Sequence, residues 1–119
     1  MADWTAWIGR RIAQQDVLTP SALARFRATI DSDEIGDVAA QAIHWCLCLP
    51  DAPTATLGPD GRPLRADNPD SFMPPIPLPR RMWAASDVRF HAPIAAGAVI
   101  ARTSTLAAIK EKSGATGQL

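Results

Sequence analysis

The chain lacks long apolar runs, blocks of like charge and more than a few histidines or cysteines, and each shortage excludes something. Its longest mostly apolar stretch, Val38 to Pro50, is interrupted by Gln41 and His44 and is too short to cross a bilayer. Charge is balanced, with 12 basic and 12 acidic residues. No basic stripe offers itself to nucleic acid, and no acidic tail is present. The opening Met1-Ala-Asp-Trp4 has no basic region followed by an apolar one, so no signal peptide is read and a cytoplasmic protein is expected. The two cysteines, Cys46 and Cys48, are too close for an ordinary disulfide and lack the further ligands that zinc needs. They read as two buried thiols in a reducing compartment. No metal site and no redox cofactor are indicated.

Proline is plentiful by contrast. Nine of the 11 prolines lie between Pro50 and Pro79. At 119 residues one domain is the default, here made of two foldable blocks joined by a proline-rich connection at about 50–80. Trp4, Trp7 and Ile8 predict a short helical turn stopped by Gly9. Arg10 to Val17 is a candidate first strand. Thr19-Pro20 is a strong helix start, because Thr19 can accept a free backbone N–H and Pro20 needs none. Leu23, Phe26 and Ile30 then share one face.

A second helix is predicted from Val38 to Leu49, capped by Asp37 and stopped by Pro50. Val38, Ala42, Trp45, Cys46 and Leu49 would share its buried face, with Gln41 and His44 on a thin polar line. Trp45 is read as core. Asp51 to Asp70 is turn chemistry throughout. Pro74 to Pro79 forces extended backbone, and Met82 to Phe90 alternates as a strand would. Ala98 to Ile109 is a long strand candidate, after a turn at Gly97. Lys110 to Gly117 is a hairpin turn whose partner strand would begin at Leu119. The expectation is an open sheet edge and a chain cut off after the penultimate strands.

Several blocks in this order carry a resemblance. They are Trp7-Ile-Gly-Arg10, Leu18-Thr-Pro20, His44-Trp-Cys46, Leu57-Gly-Pro-Asp-Gly61 and Pro75-Ile-Pro-Leu-Pro-Arg-Arg-Met-Trp-Ala84. Phe90-His-Ala-Pro93, Arg102-Thr-Ser104 and Lys112-Ser-Gly114 follow. The chain resembles the MaoC-like dehydratases with a fatty-acid-synthase-type dehydratase N-terminal domain. More narrowly, it is similar to the mesaconyl-C4-CoA and 3-methylfumaryl-CoA hydratases. Where that family has Met-Trp-Ala-Gly, this chain has Met82-Trp-Ala-Ala85.

The resemblance implies an α+β hotdog fold, an antiparallel sheet wrapped around one central helix. It makes residues 1–119 a single N-terminal hotdog whose catalytic second hotdog is absent. It implies an acyl-CoA thioester as partner, and a homo-oligomer or a pairing with a catalytic hotdog. The alternative is a non-catalytic remnant, or a structural subunit beside a separate hydratase chain.

Hydration of an enoyl thioester needs a base, an acid and N–H donors for the enolate-like oxygen. The two histidines are His44 and His91. His44 reads as a hydrogen-bonded core histidine or as a lining residue of a substrate pocket, and His91 as a surface residue. No catalytic residue is assigned. Arg80 and Arg81 are candidates for CoA phosphates or a substrate carboxylate, since a guanidinium fork suits both. Their ordinary role would be a solvated or salt-bridged pair. Trp83 could wall an acyl pocket or belong to core or interface. The prolines do not match a ligand of proline-binding domains, because Pro79 stands where that pattern needs a basic residue.

Overall fold

A computed structural model of the chain describes residues 3–65, 68–115 and 117–119. Parts of three expectations lie outside these residues: Met1 and Ala2 of the opening, Ala66 and Asp67 of the long loop, and Thr116 of the hairpin turn. The fold is mixed α+β, with one α-helix and two small two-stranded sheets among the described residues. It divides into two compact units. The first takes Met1–Ile12, Ala52–Ser86 and Thr103–Leu119, and the second Ala13–Asp51 and Asp87–Arg102.

Strand β1 is Arg11–Val17 and strand β2 is Val99–Thr105, and they neighbour each other in one sheet. The β-branched residues of Val99-Ile-Ala-Arg-Thr-Ser-Thr105 favour a pleated backbone. At one end the Leu18 N–H donates to the Ala98 carbonyl at 3.1 Å, and the Gly97 N–H to the Leu18 carbonyl at 2.7 Å. Gly97 sits at φ +87°, a turn geometry that needs no Cβ. At the other end the Leu106 N–H donates to Arg10, and the Gly9 N–H to Leu106. Pairing stops there, short of the expected Ile109, because the partner turns away at Gly9, φ +89°. The turn before it is a 3-10 helix, Thr5–Trp7, as the tryptophan spacing predicts.

In the first unit, β3 (Ser113–Gly114) and β4 (Gly117–Gln118) pair antiparallel. Lys112 and Leu119 exchange two further hydrogen bonds, at 2.9 and 2.7 Å. Leu119, where the partner strand was expected to begin, is paired with Lys112.

The second unit holds helix α1, Pro20–Thr29. Thr19 caps it, its side chain accepting the Ala22 N–H at 3.1 Å, and Pro20 occupies the first turn. Leu23 is buried, while Ala22 and Phe26 pack against the core. Ile30, expected on that face, is half exposed at the C-cap. The Arg27 guanidinium donates to the carbonyls of Gly36 and Val38, at 2.7 and 2.9 Å, and ties the following loop back to the helix. Leu18, Leu23, Ala39, Ile43 and Leu47 form the core cluster, with Ile94, Ala96 and Ile100 partly buried against it.

The helix predicted from Val38 to Leu49 is not formed. Val38 makes an antiparallel bridge with Ala95. The Ala39 N–H donates to Ile94 at 2.8 Å, and the Ala96 N–H to Asp37 at 2.7 Å. The bridge holds this backbone extended, and the Asp37 carbonyl that would accept the first intrahelical bond takes the Ala96 N–H instead. Ala42 and Cys48 both have positive φ, +80° and +54°, and between them lies a short 3-10 turn, Ile43–Cys46. Apolar spacing in a run this short does not distinguish a helix from buried irregular backbone. The corrections extend to its side chains. Trp45 is 62% exposed and not core, and Cys46 is exposed while Cys48 alone of the two thiols is buried.

The strand expected from Met82 to Phe90 is also absent. Its alternation is real, but no ladder partner reaches it among the described residues. Met82 and Trp83 are 81% and 78% exposed. Extended backbone becomes a strand when a neighbour accepts its hydrogen bonds.

The two accounts of residues 38–49 give opposite signs for Ala42→Gly. Inside a helix, glycine costs about 1 kcal/mol relative to alanine. At φ +80°, it relieves a left-handed strain of about 1–2 kcal/mol. Chemical denaturation is expected to show Ala42→Gly more stable than the unaltered chain. A loss of stability would restore the helix.

Candidate functional site

In the first unit, the proline-rich segment is held by arginines. Proline has no N–H, so a proline ladder leaves carbonyls without strand partners. Two of its remaining amides close tight turns, Ile76 to Pro74 and Leu78 to Ile76, each at 2.8 Å. The Arg65 guanidinium donates to the carbonyls of Ile76 and Leu78, the latter at 2.9 Å. Arg62 donates to the Arg81 carbonyl at 2.9 Å, and Arg81 donates back to Pro63 at 2.8 Å. Arg10 donates to the Ser71 carbonyl at 2.6 Å and lies over the Trp7 ring, 4.4 Å from its centroid.

This arrangement places three of the expected site residues. Arg81 is partly committed to binding the chain itself. Arg80 is exposed. Trp83 is exposed, and its indole N–H donates to Ser86 at 2.9 Å.

His44 lies in the second unit, where two cavities share it. The first, about 250 Å³, lies between residues 39–44 and 90–94. The Val38–Ala95 bridge brings these segments together, and Ala39, Ala40 and Ala42 leave room between them. His44 enters from one wall and His91 from the other, so both histidines of the chain line one cavity. The His44 ring meets Phe90 edge-on, 5.7 Å between centroids, and tilts against Trp45 at 5.0 Å. Among the described residues nothing hydrogen-bonds the imidazole, so aromatic packing orients it, not a carboxylate. Among the described residues no aspartate or glutamate lines this cavity. Among the described residues no group of three or more histidine, cysteine or carboxylate side chains is placed to hold a metal ion.

The second cavity, about 480 Å³, lies between residues 44–50 and Ile100–Arg102. Trp45, Leu47, Leu49, Pro50 and Ile100 make it largely apolar. Trp45 and Leu49 are exposed because they form its lip. Its wall is held by Asp16, whose carboxylate accepts the Cys48 and Val17 N–H groups, each at 2.8 Å. The Cys48 contact, then the Val17 contact, hold the Asp16 carboxyl below the usual carboxylate range.

Sequence reasoning singled out His44 but set His91 on the surface and assigned no role to Asp16 or Arg102. His91 is exposed, as expected, yet it shares a cavity with His44. One signal was present. Phe90-His91 stands just before Ala92-Pro93, where the chain must turn toward its pairing with residues 37–39.

Comparison with known proteins agrees with the resemblance. The model of the hydroxyacyl-thioester dehydratase type 2 family matches residues 40–118. Mesaconyl-C(4)-CoA hydratase of Chloroflexus aurantiacus is 37% identical to the chain over 122 residues. The match takes in 99% of this chain and 42% of that protein. No helix among the described residues is long and apolar enough to cross a membrane.

A carboxyl held low in the folded state and ordinary in the unfolded one stabilises the fold while it is ionised. For Asp16 that contribution is complete above the ordinary carboxylate range and is lost as pH falls through the lowered value. Asp16→Ala is therefore expected to lower the melting temperature near neutral pH. The gap from the unaltered chain should close as the buffer is acidified below the ordinary carboxylate range. A gap independent of pH would assign the effect to packing.

Proposed function

Because the chain belongs to the hydroxyacyl-thioester dehydratase type 2 family, we propose that it is the acyl-binding, non-catalytic part of an enoyl-CoA hydratase or 3-hydroxyacyl-CoA dehydratase. Its substrate is a mesaconyl- or methylfumaryl-type thioester, as the name of its relative suggests. Residues 1–119 act as one N-terminal hotdog domain in the cytoplasm. It works with a catalytic hotdog, in the same assembly or as a separate chain, or with a second copy of itself. Family membership and the antiparallel pairing of β1 with β2 support the hotdog.

The observation that carries this reading is the composition of the smaller cavity. Both histidines line it, but among the described residues neither has a carboxylate to orient it. Adding water across an enoyl thioester needs a positioned base for water and an acid for the α-carbon. An imidazole set by aromatic contacts suits shape recognition, and the apolar walls suit an acyl group. His44 lines the acyl site. Arg80 and Arg81 are exposed cations suited to the CoA phosphates, and Trp83 is an exposed aromatic wall beside them.

The chain is tested alone with mesaconyl-CoA, following loss of the conjugated thioester absorbance. No hydration above the buffer rate is expected, and His44→Ala should leave that rate where it is. Robust hydration by this chain, abolished by His44→Ala, would make it the catalyst and overturn the proposal.

A further inference from the structure

Resting on that reading, we infer that Arg102 makes the larger cavity selective for an acyl group that ends in a free carboxylate. The cavity is walled by Trp45, Leu47, Leu49, Pro50 and Ile100, and Arg102 is its one charged lining residue. Arg102 donates one N–H to the side-chain carbonyl of Gln14 on β1. A neutral amide orients a guanidinium without cancelling its charge. The other donors of the fork have no protein partner among the described residues. Asp16 is the nearby carboxylate on the same strand as Gln14, and it is occupied by two backbone N–H groups and forms no ion pair with Arg102. Arg102 is therefore an exposed cation, oriented by Gln14 and without a carboxylate partner among the described residues, beside an apolar cavity.

That combination fits one ligand chemistry well. The apolar walls take a short branched hydrocarbon, and the guanidinium takes a carboxylate at its far end, with two parallel hydrogen bonds available. A purely hydrocarbon acyl chain would gain nothing from the exposed cation.

The test uses the full chain and two probes without CoA, so that the phosphates play no part. One is the N-acetylcysteamine thioester of a saturated branched dicarboxylic acid with its second carboxyl free, and the other is the methyl ester of that compound. Titration calorimetry is expected to show the free acid binding about tenfold or more tightly than the ester, the size of one charge-assisted contact. Arg102→Gln should remove the preference and Arg102→Lys keep part of it. Should Arg102→Gln fail to fold, the ratio on the unaltered chain and on Arg102→Lys still decides. Equal affinity for acid and ester would overturn the role of Arg102 while leaving an acyl-thioester site standing. A preference that survives Arg102→Gln would overturn the assignment to this residue. Binding of neither probe would overturn both this inference and the proposed function.

Discussion

The second unit depends on a small piece of backbone pairing. Asp37, Val38 and Ala39 lie against Ile94, Ala95 and Ala96, joined by the Ala39 N–H to Ile94 and the Ala96 N–H to Asp37. Those bonds prevent a helix from starting at Val38. They also hold residues 39–44 facing residues 90–94, which makes the smaller cavity. The chain then reverses through Ala42 in a left-handed conformation, makes one 3-10 turn and sends Ile43 and Leu47 into the core beside Leu23 of α1. Asp16 anchors the far end by capping the Cys48 amide. Alanines at 39, 40 and 42 let the two segments approach without filling the space between them.

Elements with local causes were legible in the sequence. Thr19-Pro20 announces α1, and its cap is the one expected. The β-branched run after Gly97 announces β2, and the Trp4–Trp7 spacing announces the first turn. Elements decided by distant partners were not. Residues 38–49 carry a helical apolar spacing, yet the Ala39 amide is claimed by Ile94 and the Cys48 amide by Asp16, both far away in the chain. Met82 to Phe90 carries a strand alternation, yet no described neighbour pairs with it. The site divides in the same way. His44 stood out by type and surroundings, but its companion His91 and the cation Arg102 come from other segments, and only the pairing of those segments reveals them. The Pro-Leu-Pro-Arg-Arg block was diagnostic of family while its mechanical basis was hidden. Arg62 and Arg65 hold its carbonyls, and neither lies within it.

The proposed reading gives the chain a part in recognising the acyl group and leaves the reaction to other residues. The chain spans less than half of the curated relative it matches, and it belongs to a family of thioester dehydratases. Its cavities offer apolar walls, two imidazoles without carboxylate partners among the described residues, and the Arg102 guanidinium held by Gln14. Such a set is what we propose to hold and sort an acyl group. Proton transfer to and from carbon asks for an acid and a base held by further groups, and those are not among the residues lining either cavity.

The central claim is that the acyl group sits in the second unit, against residues 39–50, 90–94 and 100–102. Amide chemical-shift mapping with a saturated, unreactive acyl thioester tests it most directly. The account predicts shifts concentrated at those residues, with the His44 and His91 ring signals among the largest changes. Shifts confined to Arg80–Trp83, with residues 39–50 and 90–102 unmoved, would contradict it.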